Sequence, residues 1–409
     1  MQQILVIGYV WPEPNSSAAG SHMMSLLRLF KRQGWQVTFA SPAQRSEHMV
    51  DLAEEDIASE SIALNCSSFD AFISELQPDM VMFDRFMMEE QFGWRVEKNC
   101  PSALRILDTE DLQCLRNARH EAVKKQRELM PQDLHSDLAK REIAAIYRCD
   151  LSLIISSYEM TLLAETFKVP CALLHHLPFM IEPKTSSQPQ LGFNERQHFI
   201  SIGNFRHAPN WDAVLVLSQI WPAIRKQCPD AQLHIYGSYP PPKATALNNP
   251  KAGFLVKGWA DDAFAVMAKA RVCLAPLRFG AGIKGKFIDA MQMGTPSVTT
   301  DIGAEGMTNG MPWPGLIANN DDELIAAAVA LYQDEAFWQK AQDACQPLLE
   351  QVYDASELGK RLIARINALQ ANLPEHRLAN FTGAMLRHHS MKSTQYMSQW
   401  IEEKNKPKQ

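Results

Sequence analysis

The sequence predicts an α/β protein made of two doubly wound, parallel-sheet domains, and three observations carry that expectation. The chain has 409 residues, too many for one ordinary hydrophobic core. Its 46% apolar and 21% charged content is that of a globular protein. A strand, helix, strand succession begins at Gln3 and begins again at His198, on either side of a polar stretch.

The first half opens on Gln3-Ile-Leu-Val-Ile-Gly8, a buried strand. A loop holding Pro12, Pro14, Asn15, Ser16 and Ser17 leads to Ala19-Gly20-Ser21 and an amphipathic helix that Gly34 ends; Gln36-Val-Thr-Phe-Ala40 is the next strand. That order requires a parallel sheet. Further strands are expected at Met80–Phe83, Ala103–Leu107 and Leu151–Ile155, with charged helices between Asp111 and Arg148. From about Glu182 to Gln197 the chain is polar, with Pro183, Ser186, Ser187, Pro189 and Gly192. The second half then has strands at His198–Gly203, Gln232–Tyr236, Phe254–Gly258, Val272–Leu277 and Pro296–Thr300. Closing helices are expected over 321–334, 335–351 and 356–373. The expected organisation is a first domain over 1–181, a linker over 182–197, a second domain over 198–373 and a tail over 374–409.

Gly280-Ala-Gly-Ile-Lys-Gly-Lys-Phe-Ile-Asp289 is the stretch richest in chemistry: a glycine turn with two lysines that runs into a helix. Unpaired N–H groups and the helix dipole favour an anion at such a start, and Lys284 and Lys286 add charge there. Phe287, Ile288, Ala290 and Met291 fall on one side of the helical wheel, so Asp289 is expected to face a cleft or solvent. Two alternatives stay open at this turn. An acid in the first turn suits any helix dipole and a lysine pair is commonly a solvated face; Gly280, Gly282 and Gly285 also match the dinucleotide fingerprint, with Asp301 as its acid.

The segment from Gly258 to Gly306, centred on that turn and on Gly294-Thr-Pro296, resembles the donor-binding half of nucleotide-sugar glycosyltransferases of the GT-B fold, especially glycosyltransferase family 4. In that family a glutamate, seven residues and a second glutamate cross this turn and helix. Asp289 matches the second acid, whereas Ala281 stands where the first would be. The resemblance implies two Rossmann-like domains facing each other across a cleft, and a nucleotide sugar held by Gly20, Arg206, Gly282, Lys284, Gly285, Lys286 and Asp289. Asp289 would accept hydrogen bonds from the ribose hydroxyls. Lys284 or Lys286 would neutralise the diphosphate, with Arg206 as a further basic residue at it, and Lys284, Lys286, Arg206 and the helix-terminal N–H groups would stabilise charge growing on the departing group, Lys286 being the catalytic candidate among them. Retention of anomeric configuration is likewise implied by the family.

On the acceptor side Asp84 and Asp108 each end a strand, where side chains of an open parallel sheet meet a ligand. Either carboxylate could orient or deprotonate an acceptor hydroxyl, and a capping role at Asp108 or Asp111 is the alternative. Gly20 could simply permit a tight loop, with Ser21 capping the helix, and Asn210 is read as a cap for the helix after Arg206. The adjacent His175 and His176 would point to opposite faces of a strand and are assigned no chemistry. No D-x-D occurs, so neither a metal nor a cofactor beyond the donor substrate is expected.

Three functional classes follow. The leading one is a glycosyltransferase of glycan or polysaccharide biosynthesis, using a nucleotide sugar and a glycan, lipid-linked or protein acceptor. The second is a nucleotide-sugar epimerase or non-catalytic sugar-nucleotide binder, and the third an NAD-dependent oxidoreductase resting on the glycine fingerprint. A net charge of −6 argues against a nucleic-acid partner. Eight cysteines without C-x-x-C spacing read as buried apolar residues of a reducing compartment. No leader and no membrane-length apolar run is evident, so a cytoplasmic protein is expected, with peripheral contact at the inner membrane open to it.

Overall fold

The computed structural model describes residues 2–182 and 190–406; Pro183, Ser186, Ser187 and Pro189 of the expected linker lie outside the described residues. The first sheet contains β1 (Gln3–Ile7), β2 (Gln36–Ser41), β3 (Ala58–Ser61), β4 (Met80–Asp84), β5 (Leu104–Asp108), β6 (Leu151–Ile154) and β7 (Leu174–His176). The second contains β8 (Gln197–Ile202), β9 (Leu233–Tyr236), β10 (Phe254–Gly258), β11 (Ala270–Ala275), β12 (Ser297–Thr299) and β13 (Gly315–Ile317). Their spatial orders are β3-β2-β1-β4-β5-β6-β7 and β10-β9-β8-β11-β12-β13. Neighbouring strands are parallel, with Ile7 opposite Phe83 in the first sheet and Val272 opposite Phe199 in the second.

Helices cover both faces of each sheet, so the central strands are unbroken apolar runs rather than alternating ones. Ile4 to Ile7 and Met80 to Phe83 are all fully buried. By contrast β3, Ala-Ser-Glu-Ser, is exposed along its length and carries no apolar periodicity by which sequence reading could find it. The three-residue β13 is too short to show a period either.

Two departures at the C-terminal end have clear physical causes. The helix expected over 335–351 is two, Glu335–Asp343 and Cys345–Val352, because Pro347 has no N–H to give and is tolerated only in the first turn of a new helix. The helix Ala355–Ala371 does not close the second domain. Its Leu358, Leu362, Ile366 and Leu369 are buried with Leu26, Phe30 and Met80 in the core of the first sheet. The chain therefore crosses back at about Ile181 and Ala355, where Ile181 donates to the Tyr353 carbonyl and Ala355 to the Ile181 carbonyl. The bound expected at 373 is corrected to this crossing. The tail continues on the first domain: Arg377 donates to both Asp150 oxygens at 2.8 Å, and the final helix Phe381–Asn405 lies over the helices Phe86–Asn99 and Asp137–Arg148.

Candidate active site

In each sheet the strand order reverses once, between β1 and β4 and between β8 and β11, and loops at such a reversal diverge to leave a crevice. The two crevices meet. A cavity of about 200 Å³ between the domains is lined by Trp11, Glu13, Ser17 and Gly20 after β1, by Asp84 and Arg85 after β4, by Glu110 after β5, and by Asn204, Arg206 and Tyr239 of the second domain.

The first-domain wall is acidic around one arginine. Asp84 accepts from the Tyr9 N–H at 2.9 Å through Oδ2, while its buried Oδ1 has no hydrogen-bond partner among the described residues and lies 3.7 Å from Arg85 Nε. Burial works against the charge of Arg85, yet Asp84, Glu110, Asp111 and Asp108 together raise its pKa. Its backbone, at φ 67° and ψ 154°, occupies a region where glycine is normal and other residues are strained by about 1–3 kcal/mol. Glu110 is also left-handed, at φ 60°. Such strain persists only where surrounding contacts over-determine it; here the Arg85 N–H donates to the Asp108 carbonyl at 2.7 Å and its guanidinium lies 5.2 Å from the Tyr9 ring.

Asp108 does not reach the cavity. It is buried behind Asp84, accepting from the Glu110 N–H at 3.3 Å, with His22 Nε2 3.8 Å from its other oxygen. Burial, then the neighbouring Asp84 charge, pushes its pKa up to about 7, and burial holds His22 down at about 4.

Three helix starts converge beside the cavity. The helix Ala18–Arg32 is capped by Ser17, whose Oγ accepts from Gly20 N at 3.1 Å; the cap is Ser17 rather than Ser21. A Cβ on Gly20 would lie 2.5 Å from the Glu13 backbone, so only glycine allows the loop to fold over this helix start. The helix Gly285–Gln292 abuts it: a Cβ on Gly285 would come within 2.4 Å of the Ala18 Cβ. The third helix, Ala208–Gln227, follows Arg206, and its Asn210 is not a cap. Asn210 donates to the Asn204 carbonyl at 2.9 Å and accepts from Lys286 Nζ at 2.8 Å, which joins the third helix start to the second. Arg206 is exposed at this place with its guanidinium 3.6 Å from the Tyr239 ring centroid.

The lysines differ. Lys286 is half-buried and reaches Asn210, whereas Lys284 is buried, donating to the Gly282 carbonyl at 2.9 Å. Burial lowers both pKa values to about 8, which leaves both mostly charged at neutral pH. None of residues 280–289 lines the 200 Å³ cavity itself. Asp289, a turn beyond Lys286, is half-buried; its carboxylate makes no hydrogen bond among the described residues, and burial raises its pKa to about 7. A carboxylate so poorly solvated is suited to hydroxyl donors from a ligand.

The glycine turn is clasped by the first domain through contacts that sequence reading missed. Gly282 has φ 61°, and a Cβ there would stand 2.8 Å from the Asp111 Cβ. Its N–H donates at 2.8 Å to Glu159 Oε1, which also accepts from Leu112 N at 3.0 Å. Arg119 donates to the Gly280 carbonyl at 2.9 Å and, at 2.8 and 2.7 Å, to the two oxygens of Glu305. Ala281 packs into the first domain's hydrophobic cluster, so the turn is buried between the domains.

Glu159 is fully buried and burial, with Asp111 nearby, raises its pKa to about 8. A raised carboxyl pKa favours the neutral folded form, so this contribution to stability is complete below the ordinary glutamate range and is lost as pH rises to about 8. Glu159→Gln keeps the neutral form at every pH. Its melting temperature should match wild type below about pH 4.5 and exceed it progressively up to pH 8, by about 2–4 °C for each kcal/mol gained. A difference that stays constant across this range in thermal melts would mean that Glu159 is charged when folded.

His175 and His176 are half-buried on β7, and burial lowers both pKa values. All eight cysteines are unpaired; Cys66 is half-buried and Cys171 exposed, unlike the six buried ones. Among the described residues no group of three or more His, Cys, Asp or Glu side chains could hold a metal, and no helix is long and apolar enough to cross a membrane.

Residues 196–334 match the family model described as glycosyl transferases group 1. No curated protein matches by sequence. Among solved structures, sucrose-phosphate synthase from Thermosynechococcus elongatus superposes with a TM-score of 0.65 at 14% identity, over 91% of this chain and 100% of the other. HepE from Anabaena, solved in complex with UDP-glucose, gives 0.65 at 12% identity, over 90% and 100%. A glycosyltransferase from Rickettsia africae gives 0.64 at 11%, over 89% and 97%. At such identities the likeness is one of fold, and the fold is GT-B.

Proposed function

We propose that this chain, a group 1 glycosyl transferase over residues 196–334 within a GT-B fold, moves a sugar from a nucleoside-diphosphate donor to an acceptor hydroxyl, with retention of anomeric configuration. The observation that carries the reading is the convergence of three helix starts with Lys286, Lys284 and Arg206 beside the interdomain cavity. Helix N–H groups and fixed cations stabilise an anion more strongly in a water-poor site than in water, and most strongly when its charge grows as the sugar–phosphate bond breaks. Lys286 and Arg206 take the diphosphate. Lys284, held inside the turn, supplies charge at longer range, and Asp289 takes the ribose hydroxyls.

Asp84, with an oxygen that has no partner among the described residues, orients or deprotonates the acceptor hydroxyl; Asp108 supports it through Arg85 and the Glu110 backbone. The cavity, about 200 Å³, is smaller than the roughly 300–1,000 Å³ of ordinary ligand sites, so a bound donor extends beyond it along the gap between the domains. The chemistry asks for neither metal nor separate cofactor. The acceptor is a glycan, a lipid-linked sugar or a protein, in glycan or polysaccharide biosynthesis in the cytoplasm, at the inner membrane where the acceptor is lipid-linked.

Ala281 favours one competing reading, a nucleotide-sugar epimerase or non-catalytic binder, because its methyl is packed into the first domain and can hold no sugar hydroxyl. Thermal shift with UDP, GDP, ADP and NAD tests the donor class. UDP, the nucleotide portion of the HepE ligand, is expected to stabilise by roughly 2.7 kcal/mol at one hundred times its dissociation constant. Stabilisation by NAD alone would end the transferase reading, and donor isomerisation without transfer would favour the epimerase.

A further inference from the structure

The final helix Phe381–Asn405 is built inside out. The side facing the first domain is largely polar, with half-buried Leu386 and Ile401 beside it: Gly383 approaches the Tyr147 carbonyl, Ser398 is buried within 3.5 Å of Arg95, and Glu402 accepts from the Ser67 hydroxyl at 2.6 Å. Its outer side carries Phe381, Met385, Lys392, Tyr396 and Trp400, spaced by one or two helical turns along one face. Phe381 is 73% exposed, Tyr396 64% and Trp400 59%; Met397 flanks them and Leu378 precedes them, both exposed. A helix that turns its polar side to the protein and its aromatics outward is stable on contact with an apolar medium.

We propose that this outer face is the surface by which the protein lies on an anionic membrane. Tyrosine and tryptophan favour the headgroup level because one end of each ring system is apolar and the other polar. Lysine stems can lie along the apolar zone while their ammonium groups reach lipid phosphates. Lys392 lies within the stripe, and Lys404 stands 5.0 Å from the Trp400 ring. The segment 374–409 holds six Lys or Arg against three Glu, a net of +3 in a chain whose total is −6; with Arg377, Arg387 and Glu402 engaged by the first domain, four lysines stand against two glutamates. That charge complements anionic headgroups while the remainder of the chain is repelled by them, which sets the orientation.

This deepens the reading of a lipid-linked acceptor, and vesicle binding is measured without donor, so its failure would leave the donor reading intact. The full chain should sediment with vesicles of phosphatidylglycerol and phosphatidylcholine, and about tenfold less with phosphatidylcholine alone. Phe381→Ala with Tyr396→Ala and Trp400→Ala should lower the partition coefficient about tenfold or more, with an unchanged thermal melt. Lys392→Glu, a single change on the same face, should weaken binding to anionic vesicles only. Absence of sedimentation with either vesicle, or equal binding by the triple variant, would overturn the proposal. So would a wild-type dimer that the triple variant turns into a monomer, since a second copy would then cover the face.

Discussion

Lys286→Ala is expected to lower kcat/KM for the nucleotide sugar by about 10²–10³-fold, the loss typical when one fixed donor to a developing anion is removed. Lys286 bridges two helix starts through Asn210, and a bound diphosphate would take over the hydrogen bond that Asn210 now accepts. The lysine is half-buried, so its replacement leaves little packed volume empty and stability should change by less than about 1 kcal/mol. Steady-state kinetics with varied donor checks the first expectation and a thermal melt the second. Unchanged donor kinetics in a well-folded variant would remove Lys286 from the phosphate site.

Asp84→Asn is expected to lower kcat by about 10²–10⁴-fold with little change in KM for the donor, as loss of a general base or hydroxyl-orienting group does. The amide oxygen can still accept from the Tyr9 N–H, so the loop after β1 should keep its place. The unpaired oxygen of the carboxylate, however, is replaced by an amide nitrogen, and Arg85 loses one of the four acids around it. Single-turnover measurements separate this from slow product release. A variant with wild-type single-turnover rate would assign Asp84 to loop support alone.

The parallel sheets are legible in the sequence because their central strands are continuous apolar runs, and the strand ends then mark Asp84 and Arg206 for the crevice. The turn at Gly280 to Asp289 is legible for a local reason: glycines, lysines and a helix start occur together in ten residues. Arg85 and Glu110 are not, since neither residue type announces a left-handed backbone; the adjacency of Arg85 to a strand-ending aspartate is the one available signal. Glu159 and Arg119 gain their roles from contacts with Gly282 and Gly280, which are 123 and 161 residues away, and no local pattern encodes such pairing. The crossing of Ala355–Ala371 to the first sheet is hidden for a similar reason. Its apolar stripe shows that it packs on something, and periodicity is silent about which core receives it.

Recognition of a diphosphate by converging helix starts and lysine is the central claim, and isothermal titration of a nucleoside diphosphate against its nucleoside tests it most directly. Whichever of UDP, GDP and ADP stabilises the wild type in the thermal-shift screen should bind at least about a hundredfold more tightly than its nucleoside, and Lys286→Ala should remove most of that difference while leaving nucleoside affinity unchanged. Equal affinity for the two ligands in the wild type would contradict it.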